Sequence, residues 1–183
     1  SYHGLRFYET FGNMAFAVAC RAVSLRDLGP AISPMNSFLI LTGIETLSLR
    51  MQRHCENALV VAKHLQKHKK FSWVSYAGLP TDKYHKLAQK YLPLGAGAVF
   101  TFGVKGGYQA GVKLVENVEI LSHLANIGDT RSLIIHPAST THRQLTEEQL
   151  LAAGAGPDVV RLSIGLENVA DVIRDLDQAL AKT

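Results

Sequence analysis

The stretch VVRLSIGLENVADVI, Val159 to Ile173, decides the fold. Strand side chains alternate between two faces. On that alternation Val160, Leu162, Ile164 and Leu166 form an apolar face. Val159, Arg161, Ser163 and Gly165 form the other, small and polar around one positive charge. Asn168 then stands where a helix cap belongs, and Val169, Val172, Ile173, Leu176 and Leu180 recur at helical spacing. The stretch therefore reads as a strand, a turn and an amphipathic helix. Arg161 has two readings. It is a solvated arginine on an edge strand, since charged side chains are seldom buried, or it is aimed at an anion in a cleft.

Upstream, the hydrophobic period switches repeatedly between helix and strand. Leu47, Met51, Cys55, Ala58, Ala62 and Leu65 predict a long amphipathic helix ending near His68. FSWVSYAGLP (71–80) predicts a strand closed by a Gly/Pro turn. YHKLAQKYLP (84–93) predicts a short helix with Tyr84, Leu87, Ala88 and Tyr91 on one face, and GAVFTFGVKGG (97–107) a strand entering a Gly-Gly turn. YQAGVKLVENVEI (108–120) predicts a helix and SLIIHP (132–137) a short strand. Thr146 and Gln149 form a capping-box pattern for a helix that stops at Gly154. Helices and strands thus alternate from residue 46 onward, which predicts a sheet with helices packed against it, in a two-layer α+β or α/β domain. Residues 1–45 differ. NMAFAVACRAVSLRDLGP (13–30) predicts a helix stopped at Gly29-Pro30, and Ser33-Pro34 opens another that Gly43 is expected to loosen or break. With no strand to close a core, this part reads as a connector belonging to something larger.

Of the 183 residues, 47% are hydrophobic and 19% charged, a composition suited to one globular core with an appendage. The formal net charge is +4, and its densest stretch, KHLQKHKK (63–70), falls where a helix ends and cations are favourable. No nucleic-acid reading motif accompanies it, so no nucleic-acid partner is expected. No apolar run approaches the roughly 18 residues of a membrane helix, and no membrane partner is expected either. Cys20 and Cys55 stand in no metal or redox spacing, which makes reduced thiols in a cytoplasmic protein the default. No metal site is expected. The chain opens at Ser1 without Met, and a piece of a longer protein is the expectation.

Weak motifs fall away on context. GAGAVF (95–100) lacks the third glycine of a phosphate loop and precedes a strand, and Lys105 before Gly106-Gly107 lacks the P-loop spacing. No G-x-S-x-G or Cys/His nucleophile signature is present. The informative partner of the Arg161 strand is GDTRSLIIHPASTTH (128–142), in which Ser132 leads a short strand that ends at His136-Pro137 and the hydroxyls of Ser139, Thr140 and Thr141. Those hydroxyls either satisfy their own backbone in local turns or help complete a carboxylate pocket, in which a planar guanidinium forks onto the carboxylate.

SLIIHPASTTH followed by VVRLSIGLENVADVI, with PMNSFLILTGIETLSLRMQRH and LSLRMQRHCENALVVAKHLQKH upstream, resembles the C-terminal part of the Cys/Met-metabolism pyridoxal-phosphate enzymes. The blocks match in order over essentially the whole chain. Within the family, SYHGLRFYETFG and RDLGPAISPMNSFLILTGIETLSLR are most similar to the O-acetylhomoserine sulfhydrylases. The resemblance implies an α+β small C-terminal domain of a fold-type-I enzyme over residues 46–183, mainly an antiparallel sheet with helices packed on one side. Residues 1–45 would be the tail of the large cofactor domain and a connector.

It further implies replacement of acetate on O-acetylhomoserine by sulfide to give homocysteine, with pyridoxal 5'-phosphate as cofactor, a small amino-acid substrate and a cytoplasmic homotetramer. It assigns Arg161 of R-L-S-x-G-L-E to the substrate α-carboxylate and Ser132 of S-L-I-x-H-P-A-S to the same carboxylate region. The family's cofactor lysine lies upstream of the matched region, and no lysine here stands in its context. No catalytic residue is therefore expected in this chain, which alone should neither hold the cofactor covalently nor turn over. The alternatives are a γ-lyase or cystathionine-type enzyme of the same family, or a non-catalytic module that dimerises.

Overall fold

The computed structural model describes residues 2–183. The chain divides into two compact units, one ending at Glu45 and one spanning Thr46–Thr183. In the first, a 3-10 turn, Gly12–Met14, joins α1 (Phe7–Phe11) to α2 (Ala15–Ala19), and a π-helical stretch, Cys20–Leu25, joins α2 to α3 (Arg26–Leu28), which ends at Gly29 in the left-handed conformation. Helix α4 (Pro34–Glu45) opens with the Asn36 N–H donating to Ser33 Oγ at 3.1 Å. It runs through Gly43 without a break, contrary to expectation. One helical glycine costs only about 1 kcal/mol relative to alanine, and the Thr42 hydroxyl beside it bonds back to the Phe38 carbonyl within the helix. Helix α4 is apolar on all sides and buries none of its residues.

The second unit contains α5 (Leu47–Lys67), β1 (Phe71–Ser75), α6 (His85–Tyr91), β2 (Val99–Val104), α7 (Gly107–Asn117), β3 (Ser122–His123), β4 (Leu133–Ile135), α8 (Glu147–Ala152), β5 (Val159–Ser163) and α9 (Val169–Ala181). The five strands form one sheet in the order β1-β2-β5-β4-β3. Three pairings are antiparallel, and only β3 runs parallel to its neighbour β4. The two-residue β3 was not anticipated, because so short a strand carries no period. The capping box of α8 is formed in both directions, and Asn168 Oδ1 accepts the Ala170 N–H to open α9.

Phe100, Phe102, Ile134, Val160 and Leu162 cluster in the core with residues of α5, α7 and α9, including Val61, Leu65, Leu114, Val172 and Leu176. Each such side chain contributes roughly 1.5–3 kcal/mol when fully buried. The expected face of α5 is corrected in its first half. Leu47 and Met51 are exposed, and the buried stripe is His54, Asn57, Ala58, Val61, Ala62 and Leu65. In α6 only Ala88 is buried, while Tyr84, Leu87 and Tyr91 remain exposed. Leu166 is half-buried, because β5 stops at Ser163 and the alternation with it.

Candidate substrate-carboxylate site

The sheet order fixes which strand position Arg161 takes. Strand β5 lies between β2 and β4, so Arg161 sits on the middle strand, with Thr101 and Ile135 as its register partners. The edge-strand reading is thereby removed. The Arg161 side chain is partly exposed, and its Nη2 donates to the Asn126 carbonyl at 3.3 Å. A guanidinium carries five N–H donors. Among the described residues no carboxylate lies within ion-pair distance of it. Donors thus remain for a planar anion.

Ser132 stands just before β4, the strand next to β5. It is fully buried, its N–H donates to Glu167 Oε1 at 2.6 Å, and its hydroxyl donates to Glu167 Oε2 at 2.8 Å. The same oxygen accepts the Gly165 N–H at 2.8 Å. The Ser132 hydroxyl thereby holds the turn after Arg161. Gly165 is required there, since a Cβ would lie 2.4 Å from the Thr130 carbonyl oxygen and 2.5 Å from Glu167 Oε2.

Two residues missed in the sequence fix the same turn from α5. The His54 Nδ1–H donates to the Ile164 carbonyl at 2.6 Å, and Asn57 Nδ2 donates to the Gly165 and Glu167 carbonyls at 3.0 Å each. The available signal was a polar pair at i and i+3 that continues the Ala58–Val61 stripe. Asp175 was missed in the same way. Its carboxylate accepts the N–H groups of Glu119, Ile120 and Leu121 and of the Gln178 amide at 2.7–3.0 Å, ordering the approach to β3. Burial pushes its carboxyl up, but these hydrogen bonds outweigh burial and hold it below the usual range.

The hydroxyl-rich loop serves its own backbone. Ser139 Oγ and Thr140 Oγ1 both reach the His136 carbonyl. His136 itself is buried, with Nε2–H on the Pro157 carbonyl and Nδ1 toward Ser139 Oγ, both at 2.9 Å. Burial holds its pKa below the usual imidazole value. Gly111 leaves room for the ring, since a Cβ there would lie 2.6 Å from His136 Cδ2.

A cavity of about 290 Å³ opens where β2 begins and β5 ends, lined by His54, Met51, Ile127, Gly128 and residues 96–99. A second, of about 420 Å³, lies between α5 and α6. Neither is lined by a lysine, so neither fits covalent attachment of pyridoxal phosphate. His64 and His68 stand four residues apart, but His64 Nε2 pairs with Asp177 at 2.7 Å, and the described residues contain no metal-ligand cluster. No helix among them is long and apolar enough to cross a membrane.

An arginine on the central strand of an α+β domain, beside a turn closed by buried Ser132 and half-buried Glu167, invites comparison with known enzymes. The chain belongs to the Cys/Met metabolism PLP-dependent enzyme family, whose model matches residues 9–181. Within it, the chain is 52% identical over 179 residues to the homocysteine synthase of Schizosaccharomyces pombe, covering 98% of this chain and 42% of that protein. It is 53% identical over 189 residues to the O-acetyl-L-homoserine sulfhydrylase of Leptospira meyeri, of which it covers 43%. A crystal structure from Campylobacter jejuni, described as an O-acetylhomoserine (thiol)-lyase bearing a pyridoxyl-lysine monophosphate residue, superposes with a TM-score of 0.87 at 41% identity. That match covers 98% of this chain and 42% of the other. The chain thus spans less than half the length of the relatives it matches.

Proposed function

We propose that this chain is the C-terminal part of an O-acetylhomoserine sulfhydrylase and supplies the side of the active site that binds the substrate carboxylate. The observation that carries the reading is Arg161, on the central strand of the family fold, with guanidinium donors left over. A fork of two N–H groups fixes both position and plane of an amino-acid carboxylate. Each charge-assisted contact contributes about 1.5–3 kcal/mol, enough to orient the carbon chain for reaction. Ser132, Glu167, His54 and Asn57 hold the backbone just past Arg161. Ser132 thus belongs to the carboxylate region as a support.

The cofactor is held by residues outside this chain, and the chain alone is inactive. Residues 1–45 are the end of the cofactor domain and the connector, and residues 46–183 the small domain. The complete enzyme is a cytoplasmic homotetramer. The test is the full-length protein given O-acetylhomoserine with and without sulfide. Homocysteine and acetate formed only with sulfide support the transferase. Ammonia and an oxo acid formed without it would make the protein a lyase of the same family.

A further inference from the structure

Near Arg161 two polar side-chain atoms lack partners. One is Ser163 Oγ, fully enclosed, on the same strand face as Arg161 and in register with Val99. The other is His54 Nε2. His54 is about 1% exposed, and its Nδ1 faces a carbonyl, which only accepts, so Nδ1 carries the proton. In the neutral ring Nε2 is then a bare acceptor, on the opposite edge from that bond, with no hydrogen-bond partner among the described residues. His54 lines the 290 Å³ cavity, whose other walls are almost wholly apolar.

The cavity adjoins the proposed carboxylate contact. Ile127, in its wall, follows Asn126, whose carbonyl meets the Arg161 guanidinium. Val99, also in its wall, precedes by two residues Thr101, the register partner of Arg161. Two strand residues span about 7 Å. From the carboxylate carbon of an amino acid to its γ-carbon there are three bonds of about 1.5 Å. Three such bonds reach about 4 Å, so a substrate anchored on Arg161 and extended toward the start of β2 brings its γ-carbon to the mouth of the cavity. An apolar chamber in which His54 is the one nitrogen- or oxygen-bearing side chain suits a small neutral molecule with a polarisable, weakly donating S–H group. It disfavours anions and strongly hydrated molecules.

We propose that this cavity is the docking site of the sulfur nucleophile, with the S–H of hydrogen sulfide or a small thiol donating to His54 Nε2. The proposal rests on the reading of Arg161 as the carboxylate anchor. It is tested in the full-length enzyme by His54→Asn, because the asparagine amide reproduces the Nδ1–H donor to Ile164 and deletes Nε2. The expected result is a rise of about 3- to 10-fold in KM for sulfide, the loss of one neutral hydrogen bond. KM for O-acetylhomoserine should move much less than KM for sulfide, because the hydrogen bond to the Ile164 carbonyl is kept. A purely structural role for His54 would move both KM values together, and either that result or no change in the sulfide KM overturns the proposal. Ala96→Val, which narrows the cavity without touching His54, should raise the sulfide KM in the same selective way, and failure of both variants to do so is equally decisive. Arg161→Lys is run alongside and should raise only the KM for O-acetylhomoserine. If it does not, the carboxylate reading itself has failed, whatever His54 shows.

Discussion

Replacing Ser132 by alanine removes one oxygen that is both donor and acceptor in a sealed place. Ser132 is fully buried, so water does not substitute. The Gly165 N–H loses its acceptor, and Glu167 Oε2 loses a charge-assisted donor. An unsatisfied buried donor costs about 1–3 kcal/mol, and a hydrogen bond to a charged group contributes about 1.5–3. The losses overlap, since Glu167 keeps the Ser132 N–H at 2.6 Å. A destabilisation of about 3 kcal/mol follows. With a urea slope of about 2 kcal/mol/M, the unfolding midpoint should fall by about 1.5 M. The assay is equilibrium urea unfolding of the chain followed by circular dichroism. The double variant with Glu167→Ala should show strong non-additivity, because both residues belong to one network. A loss of less than about 0.5 kcal/mol for Ser132→Ala, the level of an ordinary surface substitution, would refute the reasoning. Ser132 would then be a contact residue with a free hydroxyl, as its motif suggested.

Asp175 sets an acid limit. Its folded pKa lies below the usual carboxylate range. Its contribution is therefore complete above the unfolded value of about 3.9 and is lost as pH falls through the folded value. Urea unfolding of the wild type should weaken below about pH 4, and Asp175→Asn should be less stable at pH 7 yet lose less on acidification. Thr146→Ala removes the side chain that accepts the Gln149 N–H in the α8 capping box, and a loss of about 1 kcal/mol is expected in the same assay. Gly165→Ala forces a Cβ against the Thr130 carbonyl. It should lower the melting temperature more than an alanine at exposed Gly154, although Gly154 has positive φ. The isolated chain, incubated with pyridoxal phosphate, dialysed and treated with borohydride, should retain no cofactor band. A band fixed to one peptide would mean that a lysine of this chain holds the cofactor.

What was legible in the sequence followed from strong periods. The strand through Arg161, the helix capped by Asn168, the long α5 and the capping box at Thr146 all appear where the pattern put them. The helix break at Gly43 did not, because a single weak residue does not override its neighbours. The polar partners of the site were hidden for one reason. His54, Asn57 and Asp175 are buried, and Glu167 half-buried, against backbone N–H and C=O groups that converge from distant segments. No local period records such a partner. A polar residue beside an apolar stripe reads as wet until the tertiary fold brings the carbonyl or amide that satisfies it. The role of Ser132 was blurred the same way. Its motif points to the carboxylate region, while the three-dimensional neighbours show its hydroxyl on Glu167 and Gly165.

The most direct test of the central claim is a crystal structure of the full-length enzyme with its amino-acid substrate bound. The account predicts two N–H groups of Arg161 on the α-carboxylate at about 2.7–2.9 Å, with Ser132 still bonded to Glu167. A carboxylate held by other residues, with Arg161 turned to solvent or to another protein carboxylate, would contradict it.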